Sequence, residues 1–215
     1  MRRSCSSALT TERWATFDCY GTLIDWNGGL RRALGSAELL ERYHELEPEV
    51  QAENPDRSYR DAMTEVARRL GAEDADALSR SLPSWEPFPE VPGALEAART
   101  RGWKLAILSN TDRDFIEASM QRIGVPFELA IVASEIGSYK PAHRHWERFL
   151  KQVDVPRNRH VHVAQSHYHD IVPANELGLQ SVWINRYRER REPPPTRELR
   201  DLTNVSDTLD ELVPA

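Results

Sequence analysis

Short apolar runs alternate with amphipathic stretches along most of the chain. Five runs have the length and the β-branched and aromatic content typical of strands, and they cover residues 14–18, 104–109, 129–133, 160–164 and 180–184. Apolar residues at helical spacing mark three intervening segments, at 112–123, 143–153 and 170–177. Apolar strands that alternate with helices indicate a parallel sheet with both faces covered.

Two polar positions and one aromatic residue refine the predicted helices. Asp112 stands at the N-cap position of the first helix, and Gly178 follows the last helix, where glycine commonly ends one. In the second helix Trp146 shares one face with Phe149 and Val153, so we expect its indole in the core.

Residues 27–90 interrupt this alternation, because they contain helical patterns and no convincing strand. The clearest apolar stripe begins at Tyr59 and ends at Leu70, and Gly71 follows it. We therefore predict an α/β fold, a Rossmann-like parallel sheet core with a helical cap inserted after the first strand. The predicted boundaries are 13–26 and 89–200 for the core, 27–88 for the cap, and 1–12 and 201–215 for terminal extensions.

The composition limits the classes of partner. The chain has 215 residues, 40% apolar content and a net charge of −6, with scattered basic residues, which argues against nucleic acid or an anionic membrane. The basic segment 186–192 is interpreted as a solvated linker, with nucleic-acid contact as the minor alternative. No run is long enough to span a bilayer, and residues 1–14 lack the apolar region of a signal peptide. We expect a frayed N-terminus and a soluble cytoplasmic protein.

The chain has two cysteines, and they do not form the disulfide framework of a secreted protein. Cys5 lies in the N-terminal extension. Cys19 directly follows Asp18 and has two interpretations, a nucleophile or a small apolar filler. The second is favoured because no histidine lies within the same motif.

Polar residues stand at the ends of four predicted strands. Asp18 closes the first, Ser109 and Asn110 close the second, Lys140 follows the third and Asp170 lies past the fourth. Each has a structural interpretation on its own, since acids, serine and asparagine are preferred caps and turn residues. Because the carboxyl ends of parallel strands meet at one crevice, together they predict one site.

Four motifs carry a resemblance to a known superfamily. The segments FDCYGTLIDW, LAILSNTD, EIGSYKPA and HVAQSHYHDIVPANELGLQSVWINR resemble the motifs of the haloacid dehalogenase-like hydrolases. Within that superfamily they are most similar to the type II 2-haloacid dehalogenase branch. The resemblance covers about 13–26 and 88–187, and the predicted helical insert lies where that family has its cap.

The resemblance implies roles for the strand-end residues. It makes Asp18 a covalent nucleophile, which its surroundings must desolvate and orient. Lys140 would keep Asp18 ionised and oriented, and Asp170 would fix the ammonium group. Ser109 and Asn110 would hold the carboxylate and the substrate anion.

Further residues are expected to contact the substrate or shape its site. They are Cys19, Tyr20, Thr22, Gln165 and an arginine of the cap, for which Arg60 is the first candidate and Arg42 the second. Thr22 would brace the loop after the nucleophile. For any single arginine, a solvated helix face is the competing interpretation.

Two departures separate this chain from the phosphatases of the superfamily. Phosphatases carry a second aspartate two residues after the nucleophile to protonate the leaving group, and this chain has Tyr20, a phenol that is a poor acid at neutral pH. A halide needs no proton. Phosphatases also carry a Mg²⁺-binding aspartate where this chain has Gln165, and a neutral amide weakens such a site. We expect a cofactor-free, metal-independent site, with weak Mg²⁺ binding as the alternative.

The sequence therefore favours a hydrolase of the 2-haloacid dehalogenase type, which releases halide and a 2-hydroxy acid from a small carboxylate. A phosphatase of the same superfamily is the alternative, and a non-catalytic binding module is a third hypothesis. Related enzymes are often dimers. Histidines 160, 162, 167 and 169 raise the hypothesis of a zinc site, which the absence of further ligands disfavours. A pocket-lining role for His167 or His169 is preferred.

Overall fold

The computed structural model describes residues 12–54 and 56–215. The expectations for the N-terminal extension and for Cys5 lie outside the described residues. Within these two ranges six strands form one sheet, and their bounds are β1 Arg13–Phe17, β2 Trp103–Ser109, β3 Leu129–Val132, β4 His160–Ala164, β5 Gln180–Ile184 and β6 Arg197–Leu199.

All neighbouring strands of the sheet run parallel, in the order β3-β2-β1-β4-β5-β6. This confirms the predicted α/β fold, and the five predicted strands agree with β1 to β5 to within one residue at each end. The sequence analysis missed β6, whose three residues Arg-Glu-Leu are largely exposed and lack the apolar content that marks a strand.

Ten α-helices accompany the strands in the described part of the chain. Four precede α5 and lie between β1 and β2: α1 Trp26–Leu34, α2 Ala37–Glu53, α3 Tyr59–Arg69 and α4 Ala77–Ser81. The others are α5 Val91–Thr100, α6 Arg113–Ile123, α7 Ala133–Ile136, α8 Arg144–Val153, α9 Val172–Glu176 and α10 Val205–Leu212. Short 3₁₀ turns lie at Leu82–Ser84 and Arg157–Arg159, and a π-helical turn occupies His167–Ile171.

The predicted helices are present, with two local differences. The segment predicted as one helix at 170–177 is the end of the π-helical turn followed by α9. Asp112 holds the N-cap position of α6, but its carboxylate makes no bond to that helix. It accepts instead from the backbone N–H groups of Tyr59 and Arg60 at 3.0 and 2.9 Å, at the start of α3. Trp146 is fully buried, as expected.

The two connections of the helical segment run side by side beside β1. The N–H of Asp25 donates to the carbonyl of Glu86 at 2.9 Å, and the N–H of Phe88 donates to that of Leu23 at 2.9 Å. Helices α1 to α4 therefore leave and rejoin the sheet layer at one place, directly after Asp18. The division into a core and a cap at 27–88 stays a prediction.

The C-terminal segment packs against the sheet layer. Although the sequence analysis assigns 201–215 to an extension, Leu202, Val205, Leu209 and Val213 are buried in the same cluster as β1 and β2. The carboxylate of Asp210 accepts from the side chain of Arg13 at 2.6 Å, which ties α10 to the first strand. No helix in the described ranges is long and apolar enough to cross a membrane.

Gly29 of α1 packs directly under Trp85. A Cβ at Gly29 would lie 2.2 Å from the indole ring, whereas a Cβ at Gly93 in α5 would meet nothing within 4 Å. We expect Gly29→Ala to lower the free energy of unfolding by about 1–3 kcal/mol, the usual cost of overpacking. Gly93→Ala, the matched control, should raise it by about 0.4–1 kcal/mol. Urea denaturation of both variants measures this, and equal effects would contradict the packing argument.

Candidate active site

The carboxyl ends of three neighbouring strands bring the predicted residues together. Asp18 follows β1 directly, Ser109 ends β2, and Asp170 lies in the π-helical turn after β4. Lys140 lies in the loop between α7 and α8 and reaches the space between the two carboxylates. Strand order explains the convergence, because β1 lies between β2 and β4. The structure thus brings the four predicted catalytic residues to one crevice.

Lys140 uses all three of its N–H groups on protein acceptors. Its Nζ donates to Oδ1 of Asp18 at 2.8 Å, to Oδ1 of Asp170 at 2.6 Å and to the carbonyl of Leu108 at 2.9 Å. An ammonium group has three donors. In this arrangement Lys140 holds the two carboxylates and has no donor left for a substrate anion.

The three buried charges shift one another's pKa values. Burial raises the pKa of Asp18 above its ordinary value, against the opposing effect of the Lys140 ammonium. Burial also acts to raise the pKa of Asp170, but Lys140 and a hydrogen bond from His162 outweigh it and hold that pKa at about 2. Burial acts to lower the pKa of Lys140, but the two carboxylates outweigh it and raise that pKa. At neutral pH Asp170 is therefore a carboxylate and Lys140 an ammonium ion.

The loop after β1 holds the second oxygen of the nucleophile candidate. Thr22 Oγ1 donates to Oδ2 of Asp18 at 2.8 Å and accepts from the N–H of Gln165 at 2.8 Å. Gly21 has a φ of +89°, which residues with a Cβ rarely adopt, and a Cβ there would lie 3.1 Å from Oε1 of Gln165. Thr22 is fully buried, so its contact is with Asp18 and not with the cleft.

A cleft of about 470 Å³ lies between this crevice and the helical segment. Its core side is formed by the strand-end residues and their loops, which are Asp18, Tyr20, Gly21, Ser109, Asn110, Lys140, Gln165, Ser166, His169 and Asp170. Its other side is formed by α1, α2 and the start of α3, which contribute Trp26, Asn27, His44, Glu47, Pro48, Gln51 and Tyr59. Tyr187 and Glu189 complete the lining. The predicted pocket-lining role of a histidine holds for His169.

Two buried polar atoms on the core side have no partner among the described residues. They are the hydroxyl Oγ of Ser109 and Oδ2 of Asp170, and both residues line the cleft. Unsatisfied buried polar atoms are costly, so we expect these two groups to gain partners when a substrate occupies the cleft. Asn110 is different, because its side chain bonds the backbone of Lys140, with Oδ1 accepting at 2.6 Å and Nδ2 donating at 3.0 Å.

Tyr20 lines the cleft as a neutral phenol. Its hydroxyl lies 3.0 Å from Oγ of Ser119, and its ring stacks on Tyr59 at a centroid distance of 6.3 Å. Burial raises the pKa of Tyr20 well above its ordinary value. The group two residues after Asp18 is therefore a weaker acid than a free phenol, which strengthens the argument made from the sequence.

Cys19 and Arg60 do not line the cleft. Cys19 is fully buried in the main hydrophobic cluster, which agrees with the filler interpretation. The guanidinium of Arg60 pairs with Asp114 and lies 4.2 Å from the centroid of the Phe115 ring. Arg42 pairs with Glu45 on the exposed face of α2. No arginine of the described chain lines the cleft, so the structure does not bring Arg60 or Arg42 together with the other predicted site residues.

The sequence analysis missed the role of His162 in supporting Asp170. His162 Nε2 donates to Oδ1 of Asp170 at 3.0 Å, and its Nδ1 lies 2.9 Å from Oγ1 of Thr16. The same hydroxyl lies 2.7 Å from Nε2 of His160, whose Nδ1 has no partner in the described chain. A single chain of donors satisfies these contacts if His160 donates to Thr16 and Thr16 donates to His162. The two histidines of β4 alternate along the strand and so share one face, which is the sequence feature that could have predicted this contact.

Glu47 is the second residue that sequence reasoning missed. It lies one helical turn after Tyr43 on α2, on the face that also carries the buried residues of this helix. An acid on an apolar helix face is the sequence feature that could have identified it. Its Oε1 accepts from the hydroxyls of Tyr59 at 2.9 Å and Tyr43 at 3.2 Å. Burial raises the pKa of Glu47 to about 7, although these two bonds act to lower it.

The residues of the cleft do not match a divalent cation site. Among residues 12–54 and 56–215, no group of three or more histidine, cysteine or acidic side chains is placed to hold a metal ion. Asp18 and Asp170 both bond Lys140, and Gln165 supplies only a neutral amide. The four histidines considered for zinc all have protein partners. His160 and His162 share the hydroxyl of Thr16, His167 bonds the carbonyl of Pro193, and His169 bonds Ser166.

Comparisons with known proteins agree with this arrangement. A family model described as haloacid dehalogenase-like hydrolase matches residues 13–178. The chain is 30% identical over 190 residues to an (S)-2-haloacid dehalogenase of Pseudomonas sp. (strain YL), a match that covers 79% of this chain and 81% of that protein.

Two further comparisons cover the sequence and the fold. The chain is 38% identical over 104 residues to haloacetate dehalogenase H-2 of Moraxella sp. (strain B), which is 47% of this chain and 46% of that protein. The chain thus matches about half the length of that relative. The structure superposes with a TM-score of 0.80 and 16% identity on L-2-haloacid dehalogenase from Xanthobacter autotrophicus with chloropropionic acid covalently bound, covering 92% of this chain and 98% of that one.

Proposed function

The chain belongs to the haloacid dehalogenase-like hydrolases, and we propose that it cleaves the carbon–halogen bond of a 2-haloacid through an ester on Asp18. The observation that carries the proposal is the set of hydrogen bonds that holds the carboxylate of Asp18. Lys140 and Thr22 each hold one oxygen of Asp18. The residue two places after Asp18 is Tyr20 and not an acid. The names of the similar proteins support the same substrate class.

In the first step Asp18 attacks the α-carbon of the 2-haloacid. A bond forms between a carboxylate oxygen and that carbon, the carbon–halogen bond breaks, and the halide leaves with the bonding electrons. Asp18 is buried but 7% exposed, so burial desolvates it while leaving it open to the cleft. The hydroxyl of Ser109 and the side-chain amide of Gln165 line the cleft and offer neutral donors to the substrate carboxylate.

In the second step water hydrolyses the ester at the carbonyl carbon of Asp18. Oδ2 of Asp170 lacks a partner in the described chain, and in this proposal it accepts a hydrogen bond from that water when the ester is attacked. Lys140 lies where negative charge develops on the former carboxylate oxygen and stabilises it. The bond between the carbonyl carbon of Asp18 and the ester oxygen breaks, and that oxygen leaves as the hydroxyl group of the 2-hydroxy acid with one proton of the water. The second proton is released, and the oxygen of water takes the vacant place in the carboxylate.

A phosphatase of the same family is less well supported by these residues. An alkoxide leaving group needs a proton, and the neutral Tyr20 with its raised pKa supplies one poorly. Mg²⁺ prefers anionic oxygens, and Gln165 is neutral. We therefore expect that the reaction needs no metal ion.

The proposed function is tested by halide release. We expect wild-type protein in EDTA to release halide from at least one of fluoro-, chloro- and bromoacetate and the two enantiomers of 2-chloropropionate. Phosphate release from a small phosphate ester with Mg²⁺ is assayed in parallel. Halide release would support the proposal, whereas phosphate release without halide release would replace it with the phosphatase alternative.

His162 is expected to act as a positioning residue for Asp170. His162→Leu removes the 3.0 Å hydrogen bond to Oδ1 of Asp170, and loss of one charge-assisted bond should lower kcat/KM about 10- to 100-fold. The acidic limb of the pH–rate profile should move to higher pH, because that bond lowers the pKa of Asp170. His162→Gln retains a donor and should recover activity. An unchanged pH profile in His162→Leu would indicate a purely structural role.

A further inference from the structure

The helical side of the cleft presents a carboxyl group where the family resemblance implied an arginine. Of the ionisable residues lining the cleft in the described chain, Asp18, Glu47, Asp170 and Glu189 are acids and Lys140 is the one lysine. All three N–H groups of Lys140 are taken by protein acceptors. A second anionic group on a substrate would find no free cation here.

Glu47 has one oxygen committed and one available. Oε1 accepts from Tyr43 and Tyr59, and Trp26 Nε1 donates to the hydroxyl of Tyr59 at 3.1 Å, so the carboxyl group is held in a fixed position. Oε2 has no hydrogen bond from any described residue and is not enclosed by protein. An anchored carboxyl group with one open oxygen is suited to accept a hydrogen bond from a ligand.

The surroundings of Glu47 provide apolar surface for an extended substrate. Trp26 stacks on His44 at 5.1 Å between ring centroids, and Tyr59 stacks on Tyr20, so ring faces connect the Glu47 side with the Asp18 side. The cleft volume of about 470 Å³ falls in the range of roughly 300–1,000 Å³ typical of sites for drug-sized ligands. A two-carbon haloacid would leave most of this space unused.

We propose that Glu47 binds an ammonium group at the end of the substrate side chain, so that the preferred substrate is a 2-haloacid with an extended, amine-terminated chain. The inference rests on the proposed function. The neutral donors near Asp18 hold the substrate carboxylate, the chain lies along Trp26 and Tyr59, and the ammonium reaches Oε2 of Glu47. A cation offsets the cost of ionising this partly buried carboxyl group, which a hydroxyl or methyl terminus does less well.

The test compares matched 2-chloro acids of increasing chain length that end in a methyl, a hydroxyl or an ammonium group. At pH 8, above the pKa of about 7 of Glu47, we expect kcat/KM for the best ammonium-terminated acid to exceed that of its methyl counterpart about 10- to 100-fold, the scale of one charge-assisted bond. In Glu47→Gln this ratio should fall toward one. Glu49→Gln, the same change at an exposed position of the same helix that does not line the cleft, should keep the ratio.

Binding of the corresponding 2-hydroxy acids, measured by calorimetry, separates this inference from the proposed function because it needs no turnover. Tighter binding of the ammonium-terminated product to wild type than to Glu47→Gln would support the subsite even if no acid releases halide. Halide release with no preference for the ammonium terminus would overturn the subsite and leave the proposed function intact. An equal ratio of kcat/KM for the ammonium- and methyl-terminated acids in wild type and Glu47→Gln would overturn the subsite as well.

Discussion

Asp18→Asn should abolish halide release while leaving the protein folded. An amide cannot form the ester, so we expect kcat/KM to fall by about 10⁴-fold or more, the scale on which removal of a covalent nucleophile acts. Because burial raises the pKa of Asp18, this side chain favours folding fully only below its unfolded pKa, where it is protonated. That contribution is lost as the pH rises through the folded pKa, so it is absent at neutral pH. The free energy of unfolding at pH 7 should therefore not decrease in the variant.

Halide assays, urea denaturation and isotope labelling check this expectation. Asp207→Asn, the same change at a side chain that is 62% exposed, should keep activity. In a single turnover of wild type in ¹⁸O-water, the label should enter the carboxylate of Asp18 and not the product. Label found in the product alone would contradict the ester mechanism, and substantial activity in Asp18→Asn would contradict the role of this residue.

Lys140→Met should remove both activity and much of the stability. The substitution leaves Asp18 and Asp170 side by side without the cation that bonds them at 2.8 and 2.6 Å. Breaking a buried ionic cluster in this way costs about 3–5 kcal/mol, and kcat/KM should fall by about 10³-fold or more, since one group serves orientation and charge stabilisation.

The pH dependence of stability provides a second test of Lys140→Met. In wild type the pKa of Asp170 is about 2, so its contribution to stability is present above the unfolded pKa of about 4 and is lost as the pH falls toward 2. In Lys140→Met the two carboxylates repel each other and their pKa values rise, so stability should increase as the pH falls from 8 to 5. Lys151→Met, at an exposed position of α8, is the matched control. A variant as stable at pH 8 as at pH 5 would contradict the proposed charge balance.

The local periodicity of the chain was enough to predict the sheet. Strands β1 to β5 are apolar runs between helices, and their positions follow from the burial of both faces of a parallel sheet. Strand β6 could not be predicted, because Arg197–Leu199 lacks the apolar composition of a strand. It is a strand only because it pairs with β5. Asp112 was predicted at a helix N-cap, but its bonds to α3 depend on packing between segments distant in sequence.

The strand-end residues were predictable because they sit at points that topology brings together. Ser109 ends a strand, Asp18 and Asp170 lie shortly after strands, and Lys140 lies in the loop after α7. The parallel order of the strands places these segments at one edge of the sheet. Their pairing distances, the three acceptors of Lys140 and the pKa of Asp170 needed the structure, because burial and charge act over a few ångströms of three-dimensional space.

The side of the cleft formed by α1, α2 and the start of α3 could not be predicted from the sequence. Arg60 does not line the cleft, because its guanidinium packs on Phe115 and pairs with Asp114. Glu47 and Tyr59 come from separate helices, and only their packing brings a carboxyl group and a phenol together in the cleft that Asp18 also lines. The amino-acid sequence by itself determined the fold and the nucleophile candidate, which depend on local pattern and strand order. The tertiary structure decided which groups face the substrate, because helix orientation is set by contacts between residues far apart in the chain.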